Sequence, residues 1–256
     1  IEFLSTELPQ MRTIPVAESI LPQHDVSTFD EVTILLEQAQ GPFVIIECIC
    51  RKKKRLEGGT CHVTERKETC LAIHEMAEML QASNVGRTIS REEALSIIKK
   101  NQADGLVLQP SNTREAAFIC SCCGCCCGML SIHKRLPKPL DFWSSNFQAS
   151  VDAEVCIGCE SCEESCQVGA VIISEQERCA VVNLDRCLGC GVCIADCPTE
   201  AISLLKKSTE VIPPQTREEW YDIIMEKKKG RFGKALLTGK FLMDAVRTGQ
   251  THLLKS

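Results

Sequence analysis

Aromatic residues are scarce in this 256-residue chain: eight phenylalanines, two tryptophans and a single tyrosine make up 4% of it. A core built on aromatic bulk is thereby excluded, and the 44% hydrophobic content has to pack as aliphatic side chains. No apolar run approaches the roughly 20 residues of a membrane-spanning helix. Positive charge is not in excess either: the formal net charge is −5, which argues against general nucleic-acid binding, since that needs a basic footprint. The five histidines show no H-x3-H or similar metal spacing, and there is no nucleophile triad, phosphate loop or dinucleotide fingerprint. Flavin or nicotinamide would then have to come from a partner. The opening residues lack the charged head, apolar stretch and cleavage site of a secretory signal, and a start at Ile1 rather than methionine leaves room for residues upstream.

What the chain has instead is cysteine, 19 in all. In a secreted chain such a count reads as a disulfide scaffold, and in an intracellular one as metal sites. Two segments decide between them. Cys156-Ile-Gly-Cys159-Glu-Ser-Cys162-Glu-Glu-Ser-Cys166 is followed 31 residues later by Cys187-Leu-Gly-Cys190-Gly-Val-Cys193-Ile-Ala-Asp-Cys197-Pro198. The internal repeat extends to Gly158 and Gly189, and to Ala170-Val171 and Ala201-Ile202.

This doubled C-x2-C-x2-C-x3-C register resembles the two-cluster bacterial ferredoxins. The resemblance implies two [4Fe–4S] clusters, reduced thiols, and a cytoplasmic, anaerobic setting. Because the fourth cysteine of each motif crosses over in that family, it implies one cluster on Cys156, Cys159, Cys162 and Cys197. The other falls to Cys187, Cys190, Cys193 and Cys166. A cubane with four thiolates carries a net charge of about −2, so the loaded chain is more acidic than its formal charge. The chain departs from the family at Gln167, where proline is usual; its retained N–H is expected to act on the adjacent cluster. Cys179, in a strand pattern between the halves, reads as a packed thiol.

The ten remaining cysteines fall between 48 and 127. Cys120, Cys123 and Cys126 repeat the x2 register, but Leu130 stands where a fourth cysteine would be. A cubane there needs a remote ligand from Cys48, Cys50, Cys61 or Cys70, with Cys122 and Cys127 left to complete another site. One or two further iron–sulfur clusters are expected. The alternative is zinc on Cys50, Cys61 and Cys70 with His62 or a fourth cysteine. Cys122-Cys123-Gly124 also resembles part of the Cys-Cys-Gly signature of heterodisulfide-reductase-type noncubane clusters, whose other long cysteine spacings are absent here. The chain as a whole is similar to dicluster proteins of anaerobes that join a Cys-Ile-Cys-Arg segment and a cysteine-dense stretch to a C-terminal ferredoxin unit. Longer members of that group carry an additional N-terminal segment.

Around these motifs the expected class is α+β. A Cys-rich α/β domain spans residues 1–140, a 2[4Fe–4S] ferredoxin domain 147–206, and a helical tail 207–256. Within the first, a short helix begins near Ser27, Gly41-Pro42 ends it, and Phe43-Val-Ile-Ile reads as a strand running into Cys48. Helical spacing is read over Thr69–Gln81. The box Ser90-Arg-Glu-Glu93 opens a helix to about Gln102, Gly105–Gln109 returns as a strand, and Met129–Arg135 is helical. Thr216-Arg-Glu-Glu219 opens the tail helix. Arg51-Lys-Lys-Lys-Arg55 reads as a solvated loop, or as counter-charge for an anionic cluster. Lys227–Lys229 with Arg231 admits the same two readings. These features point to an electron-relay protein or subunit working with redox partners such as a flavoprotein. An oxidoreductase with a substrate-accessible N-terminal cluster, or a redox or metal sensor, is the alternative.

Overall fold

The structure is a computed structural model and describes residues 8–20, 26–228 and 230–247. Its first half is built on a five-stranded sheet. In order across the sheet the strands are β3 (Arg87–Ile89), β1 (Phe43–Glu47), β2 (Glu68–Ile73), β5 (Phe118–Cys122) and β4 (Val107–Pro110). Every neighbouring pair is antiparallel, so among the described residues this sheet has none of the parallel crossovers that an α/β reading implies.

Strand alternation decides the layers. Phe43, Ile45, Leu71 and Ile73 face one side, where α1 (Val32–Gln38) and α4 (Arg91–Ala103) bring Leu35, Leu36, Ala94 and Ile98 against them. Val44 and Ala72 face the other side and pack on Ala77 of α3 (His74–Ala82). Each fully buried Leu or Ile contributes about 1.5–3 kcal/mol of transfer free energy, so both faces are held. Helix α4 starts as its sequence signals, with the Ser90 hydroxyl accepting from Glu93 N–H.

Two expectations fail. Thr69–Ile73 is strand, and the helix begins only at His74. The apolar run there satisfies both periods over so short a length, and pairing with β1 and β5 decides for the strand. The basic stretch after Cys50 is not a loop: α2 (Ile49–Leu56) carries it, with Arg51 buried while Lys52, Lys53 and Arg55 are exposed.

After β5 the chain turns through Cys123–Cys127 into α5 (Gly128–Arg135). Beyond it lie two ribbons: β6 (Phe147–Val151) with β9 (Ile202–Lys206), and β7 (Val171–Ile173) with β8 (Ala180–Val182). The short helices α6 (Ser161–Ser165) and α7 (Val192–Ala195) begin 31 residues apart, so the sequence repeat is also structural. An N-terminal segment stitches the halves together: Ile14 N–H donates to Leu108 O and Val16 N–H to Cys190 O. The tail forms α8 (Arg217–Lys227) and α9 (Arg231–Arg247), and Thr216 caps α8 through Glu219 N–H. Both helices contact the rest of the chain, through Trp220 Nε1 to Pro9 O and Lys240 to Asp141. Lys229 and the Arg231 side chain of the second basic patch lie outside the described residues. Among the described residues, no helix is long and apolar enough to cross a membrane.

Candidate metal centres

The repeat loops bring their cysteines together around one apolar core that holds all eight but Cys159. The charges of Cys156, Cys159 and Cys197 act on Cys162, while those of Cys190, Cys187, Cys166 and Cys162 act on Cys193. Burial pushes up the Cys190 thiol to about 12 and raises Cys193 and Cys187 as well, their neighbours' charges adding to the effect. Thiols so placed ionise only against a compensating cation, which suits them to metal and not to free thiolate chemistry.

Backbone amides supply part of the compensation. Ala149, Ala170 and Ala180 donate to Cys187, Cys166 and Cys156 at 3.4, 3.1 and 3.4 Å. Gly189 and Gly158 sit at positive φ, +62° and +66°. A Cβ at Gly189 would also collide with the Phe147 carbonyl, and one at Gly158 with that of Arg178. Only glycine lets these loops turn that tightly against the ribbons. Cys179 is buried beside Glu177 and feels the charge of Cys156.

Upstream, the x2 register does not survive folding. Cys120 lies on β5, while Cys123 and Cys126 lie in the following turn with a different partner set. That set is Cys61, Cys123, Cys125 and Cys126, with all four sulfurs within 4.8 Å of one another. Cys61 is 3.6 Å from Cys123 and 3.8 Å from Cys125, and Cys125 is 3.6 Å from Cys126. A zinc ion about 2.3 Å from four thiolates spaces them about 3.8 Å apart, so these edges fit one tetrahedral ion. A cubane, which carries each thiolate on a different iron corner, would hold them farther apart. Cys125 joins this group although the x2 register of Cys120, Cys123 and Cys126 passes over it. His62, exposed, lies outside the four-thiol group and lines a cleft of about 730 Å3 with Asp104, Glu164, Gln167 and Asp196.

The other six upstream cysteines gather behind this group. Cys48 and Cys50 come from the β1–α2 junction and Cys70 from β2; Cys120 and Cys122 lie on β5, and Cys127 caps α5. Arg51 lies between the two gatherings. It donates to Ser121 O at 3.4 Å, to Cys123 Sγ at 3.6 Å and to the Thr69 hydroxyl. Burial opposes its charge, but the charges of Cys48, Cys123 and Cys70 and the bond to Cys123 outweigh it and raise its pKa. The counter-charge reading of the basic stretch therefore applies to Arg51 and not to its exposed neighbours.

Gln167 joins the two halves of the site. Its side-chain oxygen accepts from Gly124 N–H at 2.7 Å and its amide donates to Ser165 O at 3.2 Å. A Cβ at Gly124 would strike the Gln167 carbonyl. The departure from proline thus serves a side-chain dock onto the cysteine turn, one residue from Cys166.

Residues 149–204 match the family model of the 4Fe-4S dicluster domain. No curated protein and no solved structure matches the chain. The chain therefore carries a 4Fe–4S ferredoxin-type domain, and the chemistry of that domain is iron–sulfur electron transfer.

Proposed function

We propose that this chain is an electron-relay subunit or dedicated partner of a larger oxidoreductase in a cytoplasmic, anaerobic system. Two [4Fe–4S] clusters on Cys156, Cys159, Cys162, Cys197 and on Cys187, Cys190, Cys193, Cys166 would supply one-electron transfer at low potential. One observation carries the reading: Cys50, Cys120, Cys122 and Cys127 pack in the same apolar core as all the ferredoxin thiols except Cys159. Thiols of the upstream half and of the ferredoxin unit are thus packed through one apolar core, an arrangement that serves passage of charge. Cys61, Cys123, Cys125 and Cys126 hold a zinc ion that closes the cysteine turn. The remaining face of the ferredoxin unit serves a redox partner, a flavoprotein among the candidates, since the chain itself offers no nucleotide motif.

Metal analysis and EPR of the full chain purified without oxygen test this. Reduced protein should give the signal of two interacting cubanes, and zinc should be present at about one per chain. Absence of a cubane signal from protein with a full iron load would overturn the relay. Iron in place of zinc at the four-thiol group would overturn the zinc assignment alone.

A further inference from the structure

Aromatic side chains are few in this chain, and one of its two tryptophans and its single tyrosine line the same cavity. The cavity measures about 170 Å3 and lies where α8 closes over the starts of α3 and β5. Phe118 and Met76 complete its apolar walls. Trp220 and Tyr221 meet edge-on, 5.1 Å between centroids, and the indole N–H of Trp220 donates to Pro9 O at 3.1 Å, which fixes that ring. Trp220 and Phe118 are nevertheless only half-buried, and Tyr221 is exposed. Rings placed around a hollow forgo the dispersion contacts that rings packed on a neighbour would make.

The two ends of the cavity differ in polarity. Its inner end is the buried turn Ser111-Asn112-Thr113. The two hydroxyls there bond each other at 3.0 Å and take further partners in the chain. Asn112 is 2% exposed, and its amide donates to Pro9 O at 3.0 Å, but its Oδ1 has no hydrogen-bond partner among the described residues. A buried acceptor without a donor is rare in folded chains. The outer end carries the exposed Gln10 and Arg217. The Arg217 guanidinium lies 5.4 Å from the Tyr221 ring centroid and donates to its hydroxyl at 3.2 Å, which leaves further N–H groups for a ligand. Glu75 and Glu218 act on the same guanidinium by charge, so the outer end favours a neutral acceptor over an anion.

We propose that this cavity binds a neutral, planar heteroaromatic ring with an amide-type edge. The ring stacks among Phe118, Trp220 and Tyr221, a ring N–H donates to Asn112 Oδ1, and a ring carbonyl accepts from Arg217. Pockets for drug-sized ligands begin at about 300 Å3, so this one admits a head of about two fused rings and leaves any attached chain outside. Phe118 and Cys120 are two residues apart on β5, hence on one face of it and about 7 Å apart along the strand. A redox-active ring at this site stands next to the upstream cysteines. The binding itself does not depend on the relay reading.

Equilibrium dialysis of the full, anaerobically purified chain against lumazine, a two-ring heterocycle with such an edge, tests the site. Its counterpart is 1,3-dimethyllumazine, which has no ring N–H left to donate. Saturable binding of lumazine at about one per chain is expected, weakened by about tenfold or more on dimethylation. Tyr221→Ala and Phe118→Leu should each weaken it by about two- to tenfold. The ferredoxin EPR signal should persist in both variants and so show that they have folded. No saturable binding to a chain with an intact ferredoxin signal would overturn the site and leave the relay reading standing. Equal affinity for the dimethylated ring would show that no amide edge is read, and overturn the assignment. Affinity unchanged in both variants would place the ring elsewhere and overturn it as well.

Discussion

Arg51 shows how much one side chain can be asked to do. It is the one member of a five-residue basic stretch that is buried, and it is surrounded by thiols from β2, β5 and the turn after it. Removing a buried charge from its partners typically costs about 3–5 kcal/mol. Arg51→Gln is therefore expected to lower unfolding stability by about 3 kcal/mol or more and to lose metal from the upstream sites, while the ferredoxin EPR signal persists. Arg51→Lys keeps the charge but not the planar fork to Ser121 and Thr69, so it should fall between. Denaturant titration under anaerobic conditions checks both. Equal metal content in all three proteins would show that the cation is not needed.

At the scale of elements, α5 connects the upstream cysteines to the ferredoxin unit through His133. Its ring lies edge-on to Trp143, 5.2 Å between centroids, and neither ring nitrogen has a hydrogen-bond partner. Burial, then the nearby charge of Arg186, pushes its pKa down to about 3 from an ordinary 6.5. The folded chain keeps His133 neutral while the unfolded chain takes up a proton below pH 6.5. Stability is thus intact above that pH and falls as pH drops through it, by up to about 1.4 kcal/mol per pH unit. Urea unfolding between pH 7 and 5.5 should show this slope, and His133→Phe, which keeps the edge-on packing, should flatten it. An unchanged slope in the variant would remove His133 as the cause.

Across the whole molecule, the halves share an apolar core and several hydrogen bonds, and Gln167 to Gly124 is one of these beside the metal centres. Gln167→Ala is expected to cost about 1–3 kcal/mol, because Gly124 N–H is left without its acceptor. Iron and zinc content should not change. Faster proteolysis of the cysteine turn, with the ferredoxin core intact, would mark the loosened dock; a turn no more susceptible than before would show that the dock is held elsewhere. Gly124 itself tolerates no side chain, since the Gln167 carbonyl occupies that space.

The ferredoxin motif was legible because its ligands sit in two short loops, where spacing alone limits how three thiols and a tight glycine turn can be arranged. The capping boxes at Ser90 and Thr216 were legible for the same reason: a hydroxyl reaches an amide three residues away whatever the rest of the chain does. Thr69–Ile73 was misread because a five-residue apolar run satisfies helix and strand alike until a neighbouring strand claims it. Sequence by itself determined that cysteine chemistry dominates this protein and which residues form the dicluster domain. Only the tertiary structure decided that, of the other ten cysteines, Cys61, Cys123, Cys125 and Cys126 converge as one four-thiol group. The physical reason lies in β5 and its turn. Cys122 ends the strand while Cys123, Cys125 and Cys126 follow in the turn, where they meet Cys61, about sixty residues away in sequence.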